Sequence, residues 1–204
     1  MKSTKGFTLI EMAVVLAIIA ILAAMLTPLL TNYIDNARNV RATADTSSLA
    51  KAYLLHYRDT SFFPVYSSGA QSTGVPSKNC QVSGSAGTPA LPTGTNHANW
   101  AGGMNCVAGT IGLIRSFLNV NTLGLSTSAS NSNSAYRGPY LDGLDGSDPW
   151  GQPYVVTSKH LGSNQTYYAF TISAGPDLGL GTDPLQVHSS VLATTGDDIT
   201  TLIR

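Results

Sequence analysis

Four aspartates near the C-terminus have the residue type and surroundings of a cation site: Asp177, Asp183, Asp197 and Asp198. They alternate with glycines, and carboxylate oxygens on glycine-bent loops suit Ca²⁺, which takes about six to eight oxygen ligands. Their spacing is not that of an EF-hand. Aspartates of this kind also build turns by accepting hydrogen bonds from nearby backbone. The residues therefore leave two alternatives open, a calcium site and a set of turn-forming aspartates.

The sequence contains no recognisable catalytic set. It has no G-x-S-x-G, H-E-x-x-H or phosphate-binding-loop motif. The histidines lack close metal-ligand spacing, and only His56 falls near a helical stripe, where packing against the rest of the chain is expected. Basic and acidic residues each number 11, which disfavours a nucleic-acid-binding domain with a pI above ~9. We therefore expect neither an enzyme nor a protein that requires nucleic acid.

Glu11 is the single glutamate of the chain, and it lies inside the most apolar segment. No charge occurs over 12–30, and with the apolar residues before Glu11 this stretch reaches the ~20 residues that cross a bilayer. Two lysines precede it, so the positive-inside rule keeps this end in the cytoplasm and sends the remainder outward. A carboxylate inside the bilayer costs several kcal/mol unless it is paired. The expected partner is a new α-amino group, made by cleavage just before Phe7.

Residues 6–11, GFTLIE, resemble the type III signal of the type IV pilin superfamily, which comprises pilins and the pseudopilins of type II secretion and competence. The resemblance implies that prepilin peptidase removes residues 1–6 by cutting between Gly6 and Phe7, and that Phe7 is then N-methylated. It also implies that Glu11 pairs with the N-terminal amine of a neighbouring, identical subunit. That pairing would set the stagger between subunits of a helical filament.

A long N-terminal helix must position these groups. Helical periodicity predicts one helix from Phe7 to Asp59, with an apolar, transmembrane half over 7–30 and an amphipathic half over 31–64. The resemblance implies that the half over 7–30 also forms the filament core. Pro28 removes one helical hydrogen bond, and it stands where pilins carry a proline, which implies local helix melting as part of filament packing. One stripe of the second half is expected to contact the head: Tyr33, Ala37, Val40, Ala44, Ser48, Ala52 and Leu55.

Residues 65–136 are predicted to form a loop-rich insertion, because they are rich in Ser, Gly, Thr and Asn and show no clear period. Cys80 and Cys106 lie within it and lack the C-x-x-C spacing of a zinc or redox site. In an exported chain a disulfide between them is expected, worth ~3 kcal/mol by the loop-entropy model. Two unrelated free thiols are the alternative. A short helix is expected over 110–118.

Residues 137–204 are predicted to form a β-hairpin and a C-terminal loop of the globular head. The β-branched and aromatic segments 154–157 and 166–172 predict two antiparallel strands lying across the helix, and Trp150 is expected in the core beside them. The predicted fold is α+β and pilin-like, with a long N-terminal helix packed on a small antiparallel β-sheet.

Segments of this C-terminal region narrow the resemblance. Residues 138–141, 148–154 and 172–177 are similar to the corresponding parts of the major pseudopilins of type II secretion systems. That resemblance implies a structural subunit of a periplasmic filament that helps to drive proteins out of the cell, with calcium in the loop after the hairpin. The implied partners are identical subunits, an assembly platform, minor pseudopilins and the inner membrane, with the head in the periplasm. The alternative is a subunit of a surface type IV pilus serving adhesion, motility or DNA uptake, which the cysteine-bearing insertion favours.

Overall fold

The computed structural model describes residues 6–65, 79–84, 90–95, 98–107, 111–119, 135–141, 146–161 and 166–203. Two compact units divide the chain, Met1–Arg38 and Asn39–Arg204. Residues 1–5 of the predicted leader, His97 and parts of the predicted insertion 65–136 lie outside the described residues.

One α-helix, α1, spans Leu9–Thr60 and contains Pro28 without ending there. The expected helix is therefore confirmed to within two residues at either end. Every described residue up to Arg41 is exposed. Within the described residues, α1 is the one helix long and apolar enough to cross a bilayer, and none of its apolar window is buried in the chain. The core helix of a soluble protein would bury such a window, so this surface requires cover from outside the subunit.

The second half of α1 packs on the head through a face that differs from the expected stripe. Of that stripe, Ala52 is buried, whereas Val40 and Leu55 are exposed. The expected stripe is wrong because the head offers hydrogen-bond partners to polar side chains of α1, which can then be buried. For example, Thr46 Oγ1 lies 2.9 Å from Thr201 Oγ1. Small and hydrogen-bonded residues therefore face inward. The buried face comprises Ala42, Thr46, Leu49, Ala50, Ala52, Tyr53, His56, Asp59 and Thr60.

Within the described residues, five strands form one sheet with the order β2-β1-β3-β4-β5. They are β1 (Cys80–Val82), β2 (Ile111–Leu113), β3 (Val155–Val156), β4 (Phe170–Ser173) and β5 (Ile199–Leu202). All neighbours are antiparallel except β1 and β2, which run parallel. The predicted α+β fold, a long helix on a small sheet, is confirmed. The expectation of an antiparallel sheet is confirmed for the pairs β1–β3, β3–β4 and β4–β5 and is wrong for β1–β2, because the segment from β1 to β2 crosses over instead of turning directly back.

Among the described residues, two short α-helices lie close to β2 in the sequence. The crossover between β1 and β2 contains α2 (Ala98–Ala101). The second, α3 (Ile114–Leu118), follows β2 directly and lies within the short helix expected over 110–118, although the first residues of that segment form β2 instead.

The pairing of β3 with β4 confirms the expected hairpin, with Val155 opposite Ile172 and Val156 opposite Thr171. Successive residues of a strand point to opposite faces of a sheet. Val156 accordingly packs in a core that contains Leu49 of α1. Val155 and Ile172 pack in a second core, which contains no residue of α1.

This second core is covered by part of the predicted insertion. Trp100 is fully buried there, where its Nε1–H donates to the Thr182 carbonyl at 2.9 Å and its ring meets Phe170 edge-on. Trp150, expected in the core, is only half-buried. The sheet therefore lies between α1 on one face and the segment around Trp100 on the other.

Candidate functional site

The first turn of α1 holds the carboxylate of Glu11. Its Oε2 accepts hydrogen bonds from the Thr8 N–H at 2.8 Å and from the Thr8 hydroxyl at 2.7 Å, and the Glu11 N–H donates to Thr8 Oγ1 at 3.3 Å. This arrangement is a capping box, and it puts negative charge at the positive end of the helix dipole. Among the described residues no cation lies within 4.0 Å of Glu11. The carboxylate is thus hydrogen-bonded to Thr8 and has no counter-ion in the described part of its subunit.

The bond expected to be cut lies in an accessible position. Gly6 and Phe7 precede the helix, and the Phe7 side chain is 81% exposed. Apart from the adjoining residues, no atom of the described chain lies within 4 Å of the place that a side chain at Gly6 would occupy. A peptidase needs uncovered backbone, and this backbone is open. Cleavage at this bond and methylation of Phe7 stay predictions.

Beyond Glu11, α1 exposes one large apolar side chain after another. Pro28 lies within this surface, and the neighbouring Thr27 hydroxyl donates to the Ala23 carbonyl at 2.8 Å while the helix continues. Soluble monomers rarely expose apolar patches of more than a few hundred Å². The surface therefore marks contact with a membrane or with other helices. Its exposed members include Met12, Leu16, Ile19, Leu22, Leu26, Leu30 and Tyr33.

The loop between β4 and β5 brings two of the predicted calcium ligands together. Asp197 Oδ2 accepts a hydrogen bond from the Asp177 N–H at 2.8 Å. Gly175 precedes them with a φ of 70°, and a side chain there would collide with the Asp197 carbonyl. Glycine alone satisfies both conditions. The backbone therefore fixes these two aspartates relative to each other.

Asp198 is the aspartate whose surroundings best fit a cation. Its Oδ2 accepts hydrogen bonds from the Gly181 N–H at 3.0 Å and the Thr182 N–H at 2.6 Å. Its Oδ1 is buried and has no hydrogen-bond partner among the described residues. Burial raises the pKa of this carboxyl, and the bonds from Thr182 and Gly181 oppose that rise. A buried oxygen without a donor is costly, and a bound cation would satisfy it.

Asp183 has a different role. Its Oδ1 accepts hydrogen bonds from Asn99 Nδ2 and from the Leu185 N–H, both at 2.9 Å. The bond from Asn99 ties α2 to the C-terminal loop, and the bond from Leu185 is local to that loop. Across the part of the chain that the structure describes, no three His, Cys, Asp or Glu side chains are grouped to hold a metal. Calcium binding by the four aspartates stays a prediction, and a site here would need backbone carbonyls as further ligands.

The expected disulfide is confirmed. Cys80 of β1 and Cys106 are bonded and buried, with their Cα atoms 5.6 Å apart. The Cys106 N–H donates to the Trp100 carbonyl at 2.8 Å. The bridge therefore ties the sheet to the segment that covers its second face.

The roles of Thr8 and Asp148, which fix the local backbone through hydrogen bonds, were not assigned from the sequence. Thr8 caps α1, and the Thr-x-x-Glu pattern was the visible signal. Asp148 is buried, where Oδ1 accepts from the N–H groups of Trp150 and Gln152 at 3.1 and 2.8 Å, and Oδ2 accepts from the Ser173 hydroxyl at 2.7 Å. An aspartate followed by proline and glycine is a turn signal. Its carboxylate fixes the turn that leads into β3.

Comparisons with known proteins match part of the chain, including its N-terminal segment. Residues 1–27 match the family model described as the prokaryotic N-terminal methylation motif. Two fimbrial proteins of Pseudomonas aeruginosa are each 46% identical to the chain over 52 residues, which is 26% of this chain and 34% of the relative. The match thus spans about a third of the length of these curated relatives. No solved structure gives a significant match. The motif and the fimbrial likeness support a place in the type IV pilin superfamily and do not distinguish its branches.

Proposed function

We propose that this chain is a structural subunit of a pilus-like filament, anchored through α1 in the inner membrane before assembly. One observation carries the proposal: α1 exposes its apolar first half, and most of that half lies inside the segment 1–27 that matches the N-terminal methylation motif. Bilayer lipid and the helices of other subunits are similarly apolar, so either can cover this surface. Transfer from membrane to filament then leaves the burial of apolar side chains nearly unchanged.

Glu11 gives this transfer its register. In the separate subunit Thr8 holds the carboxylate by two hydrogen bonds. Once prepilin peptidase has removed residues 1–6, the α-amino group of Phe7 on a neighbouring subunit supplies the counter-ion. An unpaired charge in apolar surroundings is penalised strongly, whereas a paired and hydrogen-bonded one is tolerated. Subunits therefore stack where each Glu11 meets an amine, and Pro28 lets the helix adjust locally.

The finer proposal is the major pseudopilin of a type II secretion system, working with an assembly platform and minor pseudopilins and holding its head in the periplasm. Its support is the segment 148–154, which resembles those pseudopilins and whose Asp148 joins the turn before β3 to Ser173 of β4. A surface type IV pilus is the second candidate. The likeness to fimbrial proteins and the disulfide-bonded insertion favour it.

A strain lacking the gene separates these candidates. For a pseudopilin, specific secreted proteins disappear from the medium and accumulate in the periplasm, and the wild-type gene restores secretion. For a surface pilus, secretion is unchanged while filaments disappear from the cell surface. Retention of both secretion and surface filaments would overturn the filament proposal.

Calcium in the C-terminal loop is a separate part of the proposal. The open Oδ1 of Asp198 fits a cation, with Asp177 and Asp197 fixed nearby in the same loop. Bound calcium would supply the positive charge that the buried carboxylate lacks and would tie the loop to β5. Asp183 fits less well, because its Oδ1 is already hydrogen-bonded.

Chelation tests the calcium proposal in the full chain. Removing calcium with EGTA is expected to lower the midpoint of thermal unfolding, since a ligand that binds the folded state stabilises it. Asp198→Asn is expected to abolish that dependence. Asp35→Asn, at an exposed acid of α1 that pairs with Arg38, is the matched control and should keep it. An identical midpoint with and without calcium in the unaltered chain would exclude the site.

A further inference from the structure

The segment that covers the second core is attached differently at its two ends. We call residues 98–107 the cover segment. One end is held covalently, because the disulfide joins Cys106 to Cys80 of β1. The other end, around Trp100, is held by hydrogen bonds to the loop between β4 and β5 (174–198). Movement of that loop can therefore release one end of the cover segment while the other stays bonded.

Two side chains of the cover segment reach the loop. Trp100 Nε1–H donates to the Thr182 carbonyl at 2.9 Å, and Asn99 Nδ2 donates to Asp183 Oδ1 at the same distance. Trp100 is fully buried at the centre of the second core. A displacement of Thr182 would consequently disturb the largest side chain in that core.

The loop also lies directly against the backbone that precedes the cover segment. The Gly94 N–H donates to the Leu178 carbonyl at 3.1 Å. A side chain at Gly179 would collide with the Gly94 carbonyl. Backbone packed on backbone leaves no flexible side chain between the two segments to absorb a displacement. The loop and the chain that leads into the cover segment are therefore expected to move together.

Thr182 joins the cover segment to Asp198. It is fully buried, and its N–H donates to Asp198 Oδ2 at 2.6 Å while its carbonyl accepts from Trp100. Its hydroxyl oxygen accepts a hydrogen bond from the Thr195 N–H at 3.0 Å. Every polar atom of Thr182 is thus hydrogen-bonded. A displacement of Asp198 therefore reaches Trp100 through a single residue.

Asp198 makes this connection sensitive to a ligand. The residue is 7% exposed, and its Oδ1 has no hydrogen-bond partner among the described residues. A buried oxygen without a donor is costly. Without a cation, the closed loop therefore competes with local openings that hydrate the carboxylate. When Asp198 Oδ1 has a cation beside it, that cost is removed and the closed loop is favoured.

We propose that the cover segment is a cation-controlled flap, in which Asp198 closes the loop when its Oδ1 has a cation and Thr182 then holds Trp100 in the second core. This inference rests on the calcium binding proposed above and is independent of filament assembly. In EGTA the flap opens more often from its Trp100 end, while Cys106 stays bonded. Coupling of this kind is reciprocal, so the bond from Trp100 also strengthens calcium binding.

Hydrogen exchange of the indole N–H groups, in the full chain in detergent, measures the opening. The chain has two tryptophans, and Trp150→Phe assigns their two signals. Exchange at Trp100 is expected to be at least about fivefold slower in saturating calcium than in EGTA, because coupling between sites typically spans about 5–150-fold. The half-buried Trp150 is the internal control and should not respond. Asp198→Asn should abolish the response of Trp100.

Calcium affinity measured by calorimetry tests the reciprocal effect. Trp100→Phe keeps an aromatic ring in the core but removes the donor to Thr182, and it is expected to weaken calcium binding at least about fivefold. Trp150→Phe is the matched variant and should bind calcium as the unaltered chain does. Because Trp100→Phe alters a buried site, exchange in the unaltered chain remains the decisive measurement.

The outcomes separate the flap from the calcium site on which it depends. A higher unfolding midpoint in calcium with unchanged exchange at Trp100 would keep the site and overturn the flap. No effect of calcium on either quantity would overturn both. Equal calcium affinities of Trp100→Phe and Trp150→Phe would also overturn the flap. None of these results changes the proposal of a filament subunit, which is tested in cells.

Discussion

The two halves of α1 share one helical backbone and meet opposite surroundings. The first half carries large aliphatic side chains and stays exposed, with Leu16 at 63% and Leu26 at 60%. The second half buries polar residues such as Thr46, His56 and Thr60. Hydropathy alone would assign burial the other way. The difference teaches that the apolar half is matched to surroundings outside the subunit, while hydrogen bonds help to attach the helix to its own head.

The substitution with the largest expected effect removes the one charge in the apolar half of α1. Glu11→Ala is expected to reduce assembled filaments by at least about 100-fold, because a neighbour's amine is then left unpaired in apolar surroundings. Filaments sheared from cells and quantified by immunoblot measure this. Asp35→Asn on the same helix is the control and should assemble normally. Normal assembly of Glu11→Ala would mean that the carboxylate does not set the register.

The next effect is confined to the head. Trp100→Ala is expected to lower the free energy of unfolding by about 3–5 kcal/mol, because it empties the centre of the second core. Urea unfolding of the full chain in detergent measures it. Trp150→Ala, at the half-buried tryptophan, should cost clearly less. Equal losses would mean that the burial of the two tryptophans has been assigned wrongly.

Acid should weaken the head through its buried histidines. Burial lowers the pKa of both His56 and His160 below the ordinary value of 6.5, for His160 to about 4. The unfolded chain therefore binds more protons than the folded chain in this window. The free energy of unfolding should fall as the pH drops from about 6.5 to about 4 and then level off, by up to about 3 kcal/mol for His160.

Urea midpoints across that pH range check the assignment to His160. His160→Gln should flatten the dependence, whereas His188→Gln, at an exposed loop histidine whose charge is the smallest cause of the lowered His160 pKa, should leave most of it intact. Asp198 changes the free energy of unfolding in the opposite direction as the pH falls, because burial raises its pKa. Its contribution is the same in the variant and in the unaltered chain, so it cancels in the difference between them. An unchanged slope in His160→Gln would contradict the expectation.

The smallest effect addresses the polar contact between α1 and the sheet. Thr46→Ala removes the hydroxyl that meets Thr201 and should cost about 1 kcal/mol. Thr43→Ala is matched to it, since Thr43 is exposed and, in the described part of the chain, its hydroxyl bonds the Asn39 carbonyl of its own helix and nothing else. Losses of equal size at 43 and 46 would show that hydrogen bonding to the head does not fix the face of α1.

The extent of α1 was predictable, but its orientation on the head was not. An uncharged apolar run and a continued helical period specify where a helix lies. They do not specify which face is buried when polar residues find partners. His56 packs inward because its Nδ1 reaches the Phe62 carbonyl, beyond the helix end, at 2.9 Å, and Thr171 Oγ1 of β4 donates to the Thr46 carbonyl at 3.0 Å. Such partners appear only once the chain beyond the helix is folded.

The strands of the insertion were hidden for a related reason. β1 is only Cys80–Val82, and its middle residue, Gln81, is polar and yet buried. Gln81 donates Nε2–H to the Pro64 carbonyl at 2.6 Å and accepts a hydrogen bond from the Tyr53 hydroxyl. Three residues carry too little periodicity to predict a strand, and their partners are distant in sequence. The disulfide was predictable, because cysteine content and expected export indicate pairing without reference to the fold.

The alternation of side chains along the sheet divides its buried residues between two separate cores. Val156 and Thr171 belong to the layer shared with α1, whereas Val155, Phe170 and Ile172 belong to the layer under the insertion. Neighbouring positions in one strand therefore have to fit different packing partners, either α1 or the insertion. The outer layer of the head can diversify towards new contacts while the layer that holds the helix, and with it the geometry of the anchor, stays the same.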